Sequence, residues 1–122
     1  MTPQPVSLTV LIVEDEFIIA DEIAMIVEHA GHSVVGPVAT VDEAINLISA
    51  NELPRFAIMD ANLNGQSSAP LARKLDELGV PFCVCTGYRS DDLRSAFGNA
   101  PILQKPINTN ALIAMINAGT QS

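Results

Sequence analysis

The sequence predicts an α/β domain, a five-stranded parallel sheet doubly wound by helices. Three observations carry this. Short apolar, β-rich runs alternate five times with segments of helical apolar spacing, all within 122 residues. The strand runs are apolar throughout rather than alternating, as in strands covered on both faces. Each run stops abruptly at polar or turn-forming residues, which a parallel topology gathers along one rim, where doubly wound sheets bind ligands.

Taken in order, Leu8 to Val13 is a buried strand that ends at Glu14-Asp15-Glu16. Ile19, Ile23, Ile26, Val27 and Ala30 then line one face of a helix, and Gly31 stands where a left-handed cap belongs. His32 to Val38 is a second strand containing Gly36-Pro37, and Thr40 and Glu43 have capping-box spacing ahead of Ala44, Ile45 and Ile48. Phe56 to Met59 is a third strand, leading to Asp60 and a turn over Ala61-Asn62-Leu63-Asn64-Gly65. Leu71, Leu75 and Leu78 predict a third helix, with Pro70 in its first turn and Gly79 closing it. Pro81 to Cys85 is a fourth strand ending at Thr86-Gly87, and Ser90-Asp91-Asp92 caps a short helix through Phe97, the weakest of the helical signals. Pro101 to Gln104 makes the fifth strand before Lys105-Pro106, and Asn110 to Ala118 the last helix. Residues 1–6 read as a flexible leader and 7–122 as one domain, without repeats or a linker.

Apolar residues at 48% and charged residues at 16% describe a compact fold rather than a disordered chain. Six Lys and Arg against 14 Asp and Glu leave a net charge of −8, which opposes a sequence-independent grip on nucleic acid or anionic lipid. No apolar run approaches the ~18 residues that insert into a bilayer, and residues 1–5 lack the features of a signal peptide, so a cytoplasmic location is expected. Cys83 and Cys85, two apart in one strand, read as buried thiols rather than a disulfide or a zinc site. Met25, Met59 and Met115 read as core, and His29 and His32 as surface or helix-capping residues.

The rim residues carry the chemistry. Glu14 and Asp15 follow the first strand, Asp60 the third, Thr86 the fourth and Lys105 the fifth. Carboxylates brought to ~5 Å repel by about 3 kcal/mol per pair at an effective dielectric of 20, so the cluster must take up a proton or a cation. Hard oxygen donors suit Mg²⁺. Lys105 adds a point charge and Thr86 a hydroxyl for a tetrahedral oxyanion, which together make equipment for phosphoryl transfer.

These residues resemble the receiver domain of bacterial two-component response regulators. The likeness runs over residues 7–119 and rests on Glu14-Asp15, Asp60, Asn62-Leu63-Asn64-Gly65, Thr86-Gly87 and Lys105-Pro106. It implies a flavodoxin-like sheet of order 2-1-3-4-5 and a cis Lys105-Pro106 bond. It implies Asp60 as phosphoacceptor, Glu14, Asp15 and Asp60 as metal acids with the Asn62 backbone carbonyl, and Thr86 and Lys105 as partners of the phosphoryl group. It further implies Mg²⁺, a sensor histidine kinase or histidine phosphotransfer protein as donor, and a downstream protein target instead of nucleic acid or membrane. The protein is then a phosphoacceptor in a phosphorelay rather than an enzyme.

Two positions depart from the pattern. Glu14 stands where the family more often has Asp, its longer arm leaving either a direct or a water-mediated contact to the metal open, and Ile102 replaces the aromatic usual three residues before the lysine. Pro81 to Tyr88 is similar to the PFxFATGY signature of an alphaproteobacterial subfamily with a mobile fourth helix. Tyr88, with Thr86, is therefore expected to form the switch, with residues 88–99 becoming ordered on activation. A flavin binder would need a phosphate-binding loop where Glu14-Asp15-Glu16 repels phosphate, and a dinucleotide binder a G-x-G-x-x-G run that the chain lacks. An aspartyl-phosphate hydrolase and a degenerate, unphosphorylated receiver are the remaining alternatives.

Overall fold

Val10 to Val13 and Phe56 to Met59 are at most 1% exposed, because strands between two helical layers have no solvent face. The computed structural model describes residues 7–50, 52–87 and 92–120. Its elements are β1 (Thr9–Val13), α1 (Phe17–His29), β2 (Ser33–Val38), α2 (Val41–Ala50), β3 (Phe56–Asp60), β4 (Asn62–Leu63), β5 (Gln66–Ser67), α3 (Ala69–Leu78), β6 (Phe82–Thr86), α4 (Asp92–Phe97), β7 (Ile102–Gln104) and α5 (Thr109–Thr120). The main sheet runs β2-β1-β3-β6-β7, all parallel. With the small β4–β5 hairpin set aside, this is the predicted order 2-1-3-4-5.

Side-chain alternation along each strand divides the core in two. Leu11, Val13, Ala57, Met59 and Val84 pack with Ala44 and Ile48 of α2 and Leu71 and Leu75 of α3. Val10, Ile12, Ile58, Cys83 and Cys85 pack with Ile23 and Val27 of α1 and Leu112 and Ile116 of α5. Both cysteines are free and buried, as predicted. The adjacent Cys85 and burial push the Cys83 thiol up, which keeps it protonated.

The predicted end of α1 and start of α2 hold, while Ser90 and Asp91 of the predicted α4 cap lie outside the described residues. His32 N–H donates to Val27 O at 3.1 Å and Gly31 N–H to Glu28 O at 3.0 Å, with Gly31 at φ +94°, a Schellman ending of α1. The amide of Glu43 donates to Thr40 Oγ1 at 3.1 Å, closing the front of α2. α5 starts one residue before the predicted Asn110, because Asn108 Oδ1 caps the Ala111 amide at 2.9 Å. His32 instead uses Nδ1 to accept the Leu8 amide at 3.2 Å, tying the entry of β1 to β2, while His29 is exposed. Lys105-Pro106 is cis, as the resemblance implies, and so is Gly36-Pro37.

One reading is corrected and another is extended. Met25 is 69% exposed, not core, and shares α1's outer surface with Phe17 and Ile18 at 78% and 80%. At 100° per residue it lies about 200° from Ile23 and from Val27, which take the sheet side. The turn after Asp60 is a hairpin: Asn64 at φ +52° and Gly65 at φ +84° let Asn62-Leu63 fold back antiparallel on Gln66-Ser67. The leader and Tyr88 lie outside the described residues. Among the described residues, no helix is long and apolar enough to cross a membrane.

Candidate functional site

The parallel sheet delivers Glu14, Asp60, Thr86 and Lys105 to one rim, as the strand ends predict. Glu14 leaves β1 with its amide held by Val38 O at 2.9 Å, and Lys105 leaves β7 with its amide held by Thr86 O at 2.8 Å. Glu14, Asp60 and Thr86 are 3%, 8% and 4% exposed, so the site is walled by the strands themselves.

Lys105 Nζ donates to Asp60 Oδ2 at 2.7 Å and to Glu14 Oε1 at 2.8 Å. Asp15 completes a trio: one carboxylate oxygen each from Glu14, Asp15 and Asp60 lie within 4.8 Å of one another. This donor set, all hard oxygens with a half-exposed Asp15 opening to solvent, fits a small divalent cation. Burial drives the Glu14 carboxyl up to about 7, helped by the charge of Asp60 and by Asp15, against the opposing Lys105 and Glu16 contacts. Burial likewise opposes the charge on Lys105, yet its bonds to Asp60 and Glu14 outweigh it and hold the ammonium above the usual lysine range.

Backbone amides fix the acids. The Asn62 amide donates to Asp60 Oδ1 at 3.1 Å, the Glu16 amide to Glu14 Oε2 at 3.1 Å and the Asn64 amide to Asp15 Oδ2 at 3.0 Å. Ser68, fully buried, donates its hydroxyl to the Asp60 carbonyl at 2.6 Å. Ser68 escaped the sequence reading, although a Ser two residues ahead of Pro70 is a helix-start signal. The hydroxyl has left the capping role, making no cap bond to α3. Asn62 also contributes its side chain, whose Oδ1 accepts the Gly65 amide at 2.8 Å. Ile102 begins β7 half-buried, and Tyr88, predicted as part of the switch, lies outside the described residues.

Residues 10–117 match the family model of the response regulator receiver domain, and the chain belongs to that family. It is 28% identical over 113 residues to the transcriptional regulatory protein YvrH of Bacillus subtilis, covering 90% of this chain and 48% of that protein. It is 37% identical over 81 residues to the phyllosphere-induced regulator PhyR of Methylorubrum extorquens, covering 65% of this chain and 30% of PhyR. The chain thus spans half or less of these curated relatives. Among solved structures, SdrG from Sphingomonas melonis Fr1 superposes with a TM-score of 0.81 at 33% identity, over 94% of this chain and 98% of SdrG. The anti-anti-sigma factor PhyR from Bartonella quintana superposes with a TM-score of 0.80 at 28% identity, over 95% of this chain and 48% of that one.

Proposed function

We propose that the chain accepts a phosphoryl group on Asp60 from a phosphohistidine of a sensor histidine kinase or histidine phosphotransfer protein, and signals through changed binding to a protein target. The observation that carries this is the Lys105 ammonium on Asp60 Oδ2 at 2.7 Å beside an acidic trio within 4.8 Å. An Asp60 carboxylate oxygen attacks phosphorus, the P–N bond to the donor imidazole breaks, and the nitrogen keeps that electron pair. Lys105 and the Thr86 hydroxyl would then stabilise the new phosphoryl oxygens. Mg²⁺ would be held by Asp15, Asp60 and the Asn62 carbonyl, and when bound it neutralises charge on the transferring group. Glu14, with Oε1 on Lys105 and Oε2 on an amide, suits a contact to the metal through water.

We read residues 7–122 as the receiver unit, and cytoplasmic action fits a phosphohistidine donor. The charge of −8 and the relative described as an anti-anti-sigma factor support a protein rather than nucleic acid as target. Incubation with acetyl phosphate and Mg²⁺ should add one phosphoryl group by intact mass. Asp60→Asn should add none; equal modification of the variant would refute the assignment.

A further inference from the structure

The three acids share one feature beyond their proximity. In each, a backbone amide engages one carboxylate oxygen: Glu16 on Glu14, Asn62 on Asp60 and Asn64 on Asp15. Two of these amides lie two residues along the chain from their own acid, so the strand ends provide them locally. The third does not. Asn64 is 49 residues from Asp15, and its amide reaches the acid because the β4–β5 hairpin folds back across the rim. That turn depends on Asn64 at φ +52° and Gly65 at φ +84°, closed by the Asn62 side chain on the Gly65 amide at 2.8 Å. One hairpin therefore grips acids from two different strands, Asp60 through Asn62 and Asp15 through Asn64.

At Glu14 and Asp60 the other oxygen accepts from Lys105 Nζ, at 2.8 and 2.7 Å, so Asp15 is the acid of the trio whose amide bond leaves its second oxygen clear of the lysine. Mg²⁺ accepts single oxygens in a tight octahedron, whereas Ca²⁺ takes six to eight oxygens and gains from carboxylates that offer both. We propose that the hairpin is a positioning element for cation choice: the Asn64 amide keeps Asp15 a one-oxygen ligand and so disfavours Ca²⁺ relative to Mg²⁺. This rests on the proposed metal-assisted role of the trio but is tested without phosphoryl transfer.

The test is calorimetric titration of the full chain with MgCl₂ and with CaCl₂, beside amide spectra of nitrogen-labelled protein. Asn64→Pro deletes the donor. Gly65→Val strains the same turn, although its new Cβ would meet no atom within 4 Å, so the damage stays in the hairpin. Asn64→Gly keeps both the donor and the positive φ, and serves as control. Wild type and Asn64→Gly should prefer Mg²⁺, with the Asn64 amide proton shifted downfield and retained on Mg²⁺ addition. Asn64→Pro and Gly65→Val should narrow the Mg²⁺ over Ca²⁺ ratio by about tenfold, the low end of what losing an outer-shell partner costs in metal affinity, here falling on Mg²⁺ rather than Ca²⁺. An unchanged ratio in Asn64→Pro, or release of the Asn64 amide by Mg²⁺ in the wild type, overturns the proposal. Wild-type protein that binds neither cation overturns it together with the functional reading; normal selectivity without Asp60 phosphorylation overturns the functional reading alone.

Discussion

At the residue scale, the site places acids where folding alone would not. Glu14 is raised to about 7 by burial, from an ordinary 4.5 in the unfolded chain. A group whose folded pKa is raised contributes its stability fully below pH 4.5 and loses it as pH climbs through 7, because the unfolded chain sheds the proton more readily. The metal-free protein should therefore lose on the order of 1–3 kcal/mol between pH 4.5 and 8 on account of Glu14. Urea unfolding at several pH values reads this directly. Glu14→Gln should flatten that part of the profile, and a slope identical to the wild type's would show that Glu14 is not its source. Lys105→Met should steepen it, since the ammonium is the one cation in hydrogen-bond reach of Glu14 and Asp60 among the described ion pairs.

At the element scale, α3 begins on a serine whose hydroxyl serves Asp60 instead of the helix. Ser68→Ala leaves the Asp60 carbonyl without that buried donor and should cost about 1–2 kcal/mol in urea with an unchanged denaturant slope. α4 is six residues long and packs chiefly through Phe97, with Leu93 and Ala96 partly buried. A helix that short draws little stability from itself, so it suits a segment that responds to the rim. Amide exchange with a beryllium fluoride mimic should show gained protection within residues 88–99. Protection confined to other regions would leave the switch elsewhere.

At the scale of the whole molecule, the sheet is the rigid body on which the rim is mounted. Ile58 and Met59 are fully buried at its centre, on opposite layers, so Ile58→Ala should cost about 2–5 kcal/mol by thermal or urea unfolding without moving the acids of the rim. Cation binding should feed back on the fold. Mg²⁺ at a hundred times its Kd should add about 2.7 kcal/mol to unfolding, and Asp15→Asn should remove most of that gain. An Asp15→Asn protein stabilised by Mg²⁺ as strongly as wild type would place the cation away from the trio.

The order of elements was legible in the sequence because each rests on local physics. Apolar runs make Val10–Val13 and Phe56–Met59 strands, helical spacing orients Ile23 and Val27, and Gly31, Thr40 and Gly79 mark helix ends. Strand ends likewise named Glu14, Asp15, Asp60, Thr86 and Lys105 as neighbours, since a parallel sheet brings every carboxyl end to one edge. Met25 was misplaced because its neighbours in sequence are core residues, while its own angle on α1 faces solvent. Asn64-Gly65 is a local signal for the hairpin turn, but the amide of Asn64 on Asp15 belongs to tertiary structure alone. That bond joins residues 49 apart, and whether a turn residue's amide meets solvent or a distant carboxylate depends on where the chain's other strand ends. Local sequence decided which groups the rim contains; the packing of sheet and hairpin decided which donor each carboxylate oxygen accepts from.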